Sequence, residues 1–402
     1  MATVRMYNVG FGDSFLVTVP RRGRPWRMLV DCGVHMQGAG EHDIDSIVED
    51  IINTVAADSD TRPRIDVVVA THRHRDHIAG FDNERWHDVE VGEVWLPWVE
   101  DPEDADAVAL RNRQQAAALN LHTHFAAGGD DDRAEFVLNS LSNDDAMWVL
   151  QNGFAGAPKR RYISAQGAKA HPLPGVRGGC VYFLGPPRDP RNLAAMDPPK
   201  AQRWLAPSVT AASPAAGAGA AAAPDLFPGF TVPAGDFARR HPHLVVDDKL
   251  LASFREEPVD TLTAASLLDR AVNNTSVMFL LQVGDALLLF PGDAQWGAWQ
   301  PLLDDADVRS LLTRTTLYKV SHHGSHNGTP VEMATDVLGG VLSLISVRPI
   351  ERWAHIPKEE LVASLLTPPR HLVSSVFVDN EAAVTGVRCH PTGLWKEAEL
   401  AT

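Results

Sequence analysis

The chain has 402 residues, 45% of them hydrophobic and 22% charged, with a formal net charge of -15, a composition ordinary for a soluble globular protein with a large core. The acidic balance opposes non-specific attraction to a phosphate backbone, and three scattered cysteines (Cys32, Cys180 and Cys389) indicate neither a disulfide framework nor a cysteine zinc site. No apolar run reaches the ~18 residues of a membrane span and no basic-then-apolar leader opens the sequence, so a cytoplasmic, unprocessed protein is expected.

The first strands are expected at Val4 to Val9, Phe15 to Val19 and Arg27 to Val30, the last ending at Asp31-Cys32-Gly33. Apolar residues recur at helical spacing over Ile44 to Val55. A β-branched strand, Ile65 to Ala70, then runs straight into Thr71-His72-Arg73-His74-Arg75-Asp76-His77. From Asp101 to Gln151 the pattern is helical, clearest at Ala107 to Phe125, and Gly178 to Leu184 returns to strand. The Ala/Pro/Gly-rich stretch Pro207 to Pro228 has no amphipathic period and is expected to be a mobile loop, with a short polyalanine helix as the alternative.

Further strands are expected at Ser276 to Val283 and Ala286 to Phe290, hinged on Gly284-Asp285 as a hairpin, then at Thr316 to Val320 and Gly340 to Val347. A helix follows over Lys358 to Leu366, and a closing hairpin is expected from Val373 to Val378 and Val384 to Cys389. Alternating strands and helices predict a layered α/β domain.

The loop after Ala70 is the informative feature. Imidazole and carboxylate are ligands that zinc prefers. In an extended segment His72 and His74 point the same way and can reach one ion, while Asp76 and His77, further along, can serve a second. Three more polar groups follow strand ends in the same manner: Asp293, the His322-His323 pair and His355.

Together these residues resemble the metallo-β-lactamase superfamily. Within it the chain looks most like the soluble hydrolase domain of bacterial DNA-uptake channel proteins and related phosphorylcholine esterases. The resembling pieces are Asn8 to Ser14, Val30-Asp31-Cys32-Gly33, Thr71 to Gly80, Asn273 to Ser276, Pro291-Gly292-Asp293-Ala294 and Lys319 to Ser325. The resemblance implies a single four-layer αββα sandwich over 1–402, with a helical insertion near 101–175 and the mobile loop near 207–228. It implies two zinc ions, or manganese in their place. His72 and His74 would bind the first and Asp76 and His77 the second, with Asp293 bridging. The superfamily's usual histidine before the aspartate strand is replaced here by Asn273-Asn274. His323, or else His322, would then join the first metal and His355 would complete the second, although Trp353-Ala354-His355 departs from the branch's usual Gly-His-Pro.

From such a site the expected chemistry is hydrolysis: a water bridging two cations ionises near neutral pH and attacks a polarised phosphoryl or carbonyl centre. Asp76 and Asp293 would orient that water, His322 would contact the oxyanion or protonate the leaving group, and Asp31 would hold the metal loop from outside. Asp13 and Lys319 are weaker candidates for the same supporting shell. The substrate class expected is a phosphodiester, whether a nucleic acid, a nucleotide or a small molecule. The alternatives are an ester, lactone or lactam hydrolase, and a non-catalytic metal-binding regulatory protein.

Overall fold

The computed structural model describes residues 1–58, 61–127, 143–204, 271–348, 350, 355–376 and 384–401. Its fifteen described strands form two mixed sheets. The first contains β1 (Ala2–Tyr7), β2 (Ser14–Val19), β3 (Trp26–Cys32), β4 (Arg64–Val69), β5 (Glu90–Pro97) and β6 (Lys159–Ile163). The second contains β7 (Ala170–Pro172), β8 (Cys180–Gly185), β9 (Met278–Val283), β10 (Ala286–Phe290), β11 (Leu317–Lys319), β12 (Leu342–Ile345) and β13 (His371–Ser374). β14 (Val387–Cys389) and β15 (Trp395–Leu400) return to the first. The strand orders are β14-β15-β1-β2-β3-β4-β5-β6 and β13-β12-β11-β10-β9-β8-β7. Helices cover both outer faces, which gives the expected four-layer αββα sandwich.

The layering follows from period-two side-chain alternation. Val4 and Met6 of β1, Phe15 and Val17 of β2, and Val67 and Val69 of β4 meet Phe279, Leu281, Leu288 and Phe290 between the sheets. The intervening residues Leu16, Leu29 and Val68 face outward onto the helix Ile44–Ala56 (α1), through Ile47, Val48 and Ile51. In the second sheet Leu280, Leu287 and Leu289 pack on Trp299, Leu302, Leu312 and Leu361 from the helices on its far side. Strands buried on both faces read as continuous apolar runs, which is why VVV and LLLF stand out in the sequence. An aromatic chain ties the two sheets together: Trp95 lies edge-on to Phe183 (5.2 Å) and Phe279 (6.1 Å), and Phe279 stacks on Phe290 at 5.2 Å.

Several expectations are met closely. The hairpin at Gly284-Asp285 pairs Val283 with Ala286, and the turn glycine has φ +58°. Helices occupy Ala105–Ala127 and Asp144–Trp148, within the stretch read as helical. The segment 207–228 lies outside the described residues. The closing hairpin does not form. β13 runs parallel to β12 in the second sheet, while β14 pairs antiparallel with β15 in the first. The strands β5, β6 and β15 escaped the periodicity because Glu93, Lys159-Arg160-Arg161 and Lys396-Glu397 interrupt it. Their polar side chains find ionic and π partners, as Arg161 does over Trp95 and Phe183.

Candidate metal centre

The parallel runs β3-β4-β5-β6 and β10-β11-β12-β13 place the carboxyl ends of their strands at a common edge, where ligand-binding groups of α/β sheets collect. Asp31 ends β3, Thr71 to His77 follow β4, Asp293 follows β10, Ser321 to Gly324 follow β11 and Ser346 follows β12. The β1–β2 turn adds Asp13. It is pressed so close that a Cβ on Gly12 would lie 2.3 Å from the Gly33 carbonyl oxygen and 2.7 Å from that of Asp76, with φ at +154°.

Asp13, His77, Asp293 and His323 form a buried cluster whose ligand atoms all lie within 4.8 Å of one another. His77 Nε2 is 3.2 Å from Asp293 Oδ2 and 3.9 Å from Asp76 Oδ2. His323 Nε2 is 3.4 Å from Asp76 Oδ2 and 3.5 Å from Asp293 Oδ2. His77 Nε2, His323 Nε2 and Asp76 Oδ1 are all buried and make no hydrogen bond. Orphaned polar atoms of this kind are costly unless something binds them. Two imidazole nitrogens and neighbouring carboxylate oxygens are a donor set suited to zinc or a similar divalent cation.

The opposite ring nitrogens are pinned. Asp31, itself in the left-handed region at φ 57°, accepts from Thr71 N (2.7 Å) and Thr71 Oγ1 (2.7 Å). It also accepts from His77 Nδ1 at 2.8 Å, which leaves His77 Nε2 to face the cluster. His323 Nδ1 donates to the Ser346 carbonyl (2.9 Å), and its ring lies 4.5 Å from that of Phe11. Successive left-handed residues, His322 (φ 49°) and His323 (φ 50°), turn the pair so that only His323 enters the cluster.

Charge balance favours a cation. Asp13, Asp31, Asp76 and Asp293 are all buried, and Lys319, itself buried, lies beside them. It pairs with Asp13, reaches Asp293 Oδ1 at 3.2 Å and donates to the Gly292 carbonyl at 3.0 Å. Burial opposes charge on Asp293 and Asp76. It is outweighed by His77 and Lys319 at Asp293 and by His77 and His323 at Asp76, and both carboxyls are held well below the usual range. Burial likewise opposes charge on His77, yet Asp293, Asp31 and Asp76 raise it well above the ordinary value. Lys319 is raised as well, because Asp13 and Asp293 outweigh its burial.

His72 and His74 stand beside this cluster as a pair, with His72 Nε2 3.1 Å from His74 Nδ1 and the His72 ring 4.1 Å from that of His77. Burial, followed by the neighbouring His77 and His74, keeps His72 well below its usual pKa, so its imidazole is neutral and able to ligate. Ser276 Oγ approaches His72 Nδ1 at 3.3 Å and accepts from Asp293 N at 3.1 Å. It joins the two subsites, and the sequence reading gave it no role although it lies in the Asn273 to Ser276 piece.

Two expected ligands sit differently. His323 faces Asp76 and Asp293, not the His72–His74 pair. His355 is not brought to the cluster: its side chain is exposed and its electrostatic neighbours are Lys358 and His326. His322 is engaged elsewhere, with Nδ1 2.7 Å from Ser325 Oγ and Nε2 3.4 Å from Asn273 Nδ2. Ser325 gives its proton to Asn327 Oδ1, so His322 Nδ1 is the donor to Ser325 and Nε2 is an acceptor. Burial lowers His322 to about 4, which keeps it neutral at neutral pH.

No family model matches the chain, and no curated protein matches it in sequence.

Proposed function

We propose that this chain is a metal-dependent hydrolase of the metallo-β-lactamase superfamily that holds two zinc ions, or manganese, and cleaves a phosphodiester. The observation that carries the reading is the convergence of unpartnered His77 Nε2, His323 Nε2 and Asp76 Oδ1 on Asp293, at the shared edge of two sheets. His77, Asp76, Asp293 and His323 would hold one ion and His72 with His74 the other, with Asp293 between them. His355, exposed beside Lys358 and His326, is left out of both sites.

Divalent cations bound here would polarise a phosphoryl oxygen and acidify water. The protein's own groups set the stage for that chemistry. Asp31 keeps the His77 proton on Nδ1, Ser346 does the same for His323, and Ser276 holds His72 and the Asp293 backbone in one frame. Lys319 fixes one oxygen of Asp293 and leaves Oδ2 toward the two imidazoles. His322, neutral, with Nδ1 donating to Ser325 and Nε2 accepting from Asn273, has no proton to give to a leaving group.

The test is a panel of chromogenic substrates given to zinc- and manganese-loaded protein: bis(p-nitrophenyl) phosphate, p-nitrophenyl acetate, a lactone and nitrocefin. Preferred cleavage of the phosphodiester is expected. Preferred cleavage of an ester, lactone or lactam replaces the substrate class, and no cleavage of any of them points to the non-catalytic alternative. Among the described residues no helix is long and apolar enough to cross a membrane. A cytoplasmic location belongs to the proposal as well.

A further inference from the structure

A cavity of about 280 Å³ opens beside the metal loop, lined by Arg73, Glu100, Arg111, Gln115, Trp148 and Gln151 among others. Arg73 lies in sequence between His72 and His74, and Asn143 Nδ2 donates to its carbonyl at 2.7 Å, so the cavity wall and the ligand loop are one unit. We propose that this cavity receives the nucleobase of a nucleotide phosphodiester and prefers a guanine-type edge, an inference that rests on the phosphodiesterase reading above.

Four features carry it. Glu100 is 5% exposed, lines the cavity, and among the described residues meets no hydrogen-bond donor or cation. A carboxylate that lines a cavity and has no partner in the protein is free to accept from the N–H groups of a ligand. Arg73 is also nearly buried, and its Nε has no hydrogen-bond partner although its Nη2 meets Asp144 at 3.2 Å. Arg111 spends its guanidinium on the Val99 and Asp101 carbonyls, so no carboxylate neutralises it.

Trp148 completes the set. It is 55% exposed, the one exposed tryptophan among the described residues, and its ring lies edge-on to that of His87, the centroids 6.0 Å apart. An exposed indole at a cavity rim offers a stacking platform for any base, while the polar groups behind it choose among bases. Guanine alone among the common bases pairs adjacent N–H donors, which suit a carboxylate, with O6 and N7 acceptors, which suit arginine. The volume is slightly below the range of drug-sized pockets and suits a base, with the phosphate left outside toward the metal loop.

The test titrates the full-length protein with GMP, AMP, CMP and UMP, following tryptophan fluorescence and calorimetry. GMP is expected to quench the fluorescence and to bind at least about tenfold tighter than AMP. Trp148→Ala should weaken GMP by about tenfold, in line with the loss of one stacked base. Glu100→Gln should remove the preference for GMP over AMP. Equal binding of all four nucleotides, no binding, or GMP affinity unchanged in both variants overturns the assignment. Cleavage of bis(p-nitrophenyl) phosphate, which carries no base, is read in parallel on the unaltered protein. Cleavage without GMP binding removes the base pocket and keeps the hydrolase. Selective GMP binding without any phosphodiester cleavage keeps the pocket and removes the hydrolase.

Discussion

The two sheets reach the candidate metal centre by different routes. The first delivers most of its candidate ligands from one loop: His72, His74, Asp76 and His77 all lie within eight residues of the end of β4. The second delivers one group per strand: Asp293 after β10, His323 after β11 and the Ser346 carbonyl after β12. A loop can be changed locally, whereas a site assembled strand by strand depends on the register of the whole sheet, here Leu288 against Leu317 and Lys319 against Leu344. The centre therefore joins a compact ligand loop to a rigid, distributed wall, and Ser276 is the hinge between them.

That contrast can be broken at graded strength. Replacing Asp293 by Asn removes the charge that both His77 and His323 face, so turnover should fall by more than the hundredfold seen when only an outer partner is lost. Steady-state kinetics with metal analysis reads this, and a tenfold loss or less would place the bridge elsewhere. Ser276→Ala leaves every ligand in place but uncouples His72 from the Asp293 backbone. Metal affinity should drop about 10- to 100-fold with the melting transition nearly unmoved. An unchanged affinity would show that loop and wall are independent.

The smallest effect lies away from the centre. Asp43 caps α1, accepting from Ser46 N at 2.6 Å, and that bond lowers its carboxyl pKa. Because the folded value lies below the unfolded one, the contribution is present above about pH 4 and fades as pH falls through the lowered folded value. Asp43→Ala should cost at most about 1 kcal/mol at pH 7 at this solvent-screened site, and the gap to the parent should narrow in acid. Denaturant melts at pH 7 and pH 3 compare the two proteins, and a constant gap would separate the cap from its charge.

Legibility in the sequence follows the same division. His72 to His77 could be read directly because strand and ligands are contiguous, and the apolar alternation of β1 to β4, β9 and β10 gave the layered fold. The pairing of Asp13 with Lys319 could not be read, since 306 residues of chain separate them and each alone resembles an ordinary turn aspartate or surface lysine. The choice of His323 over His322 needed backbone geometry, two left-handed residues in a row, that no composition rule supplies. The end of the second sheet was misread because Val373 and Val387 are equally strand-like, and only packing sends one to each sheet.

The most direct test of the account is metal stoichiometry. Purified protein, saturated with zinc, passed through a desalting column and measured by mass spectrometry of the elements, should retain two ions per chain, and Asp293→Asn should retain fewer than one. Protein that keeps no zinc or manganese, or an Asp293→Asn variant that keeps two ions, would contradict the assignment of this buried edge as a metal centre.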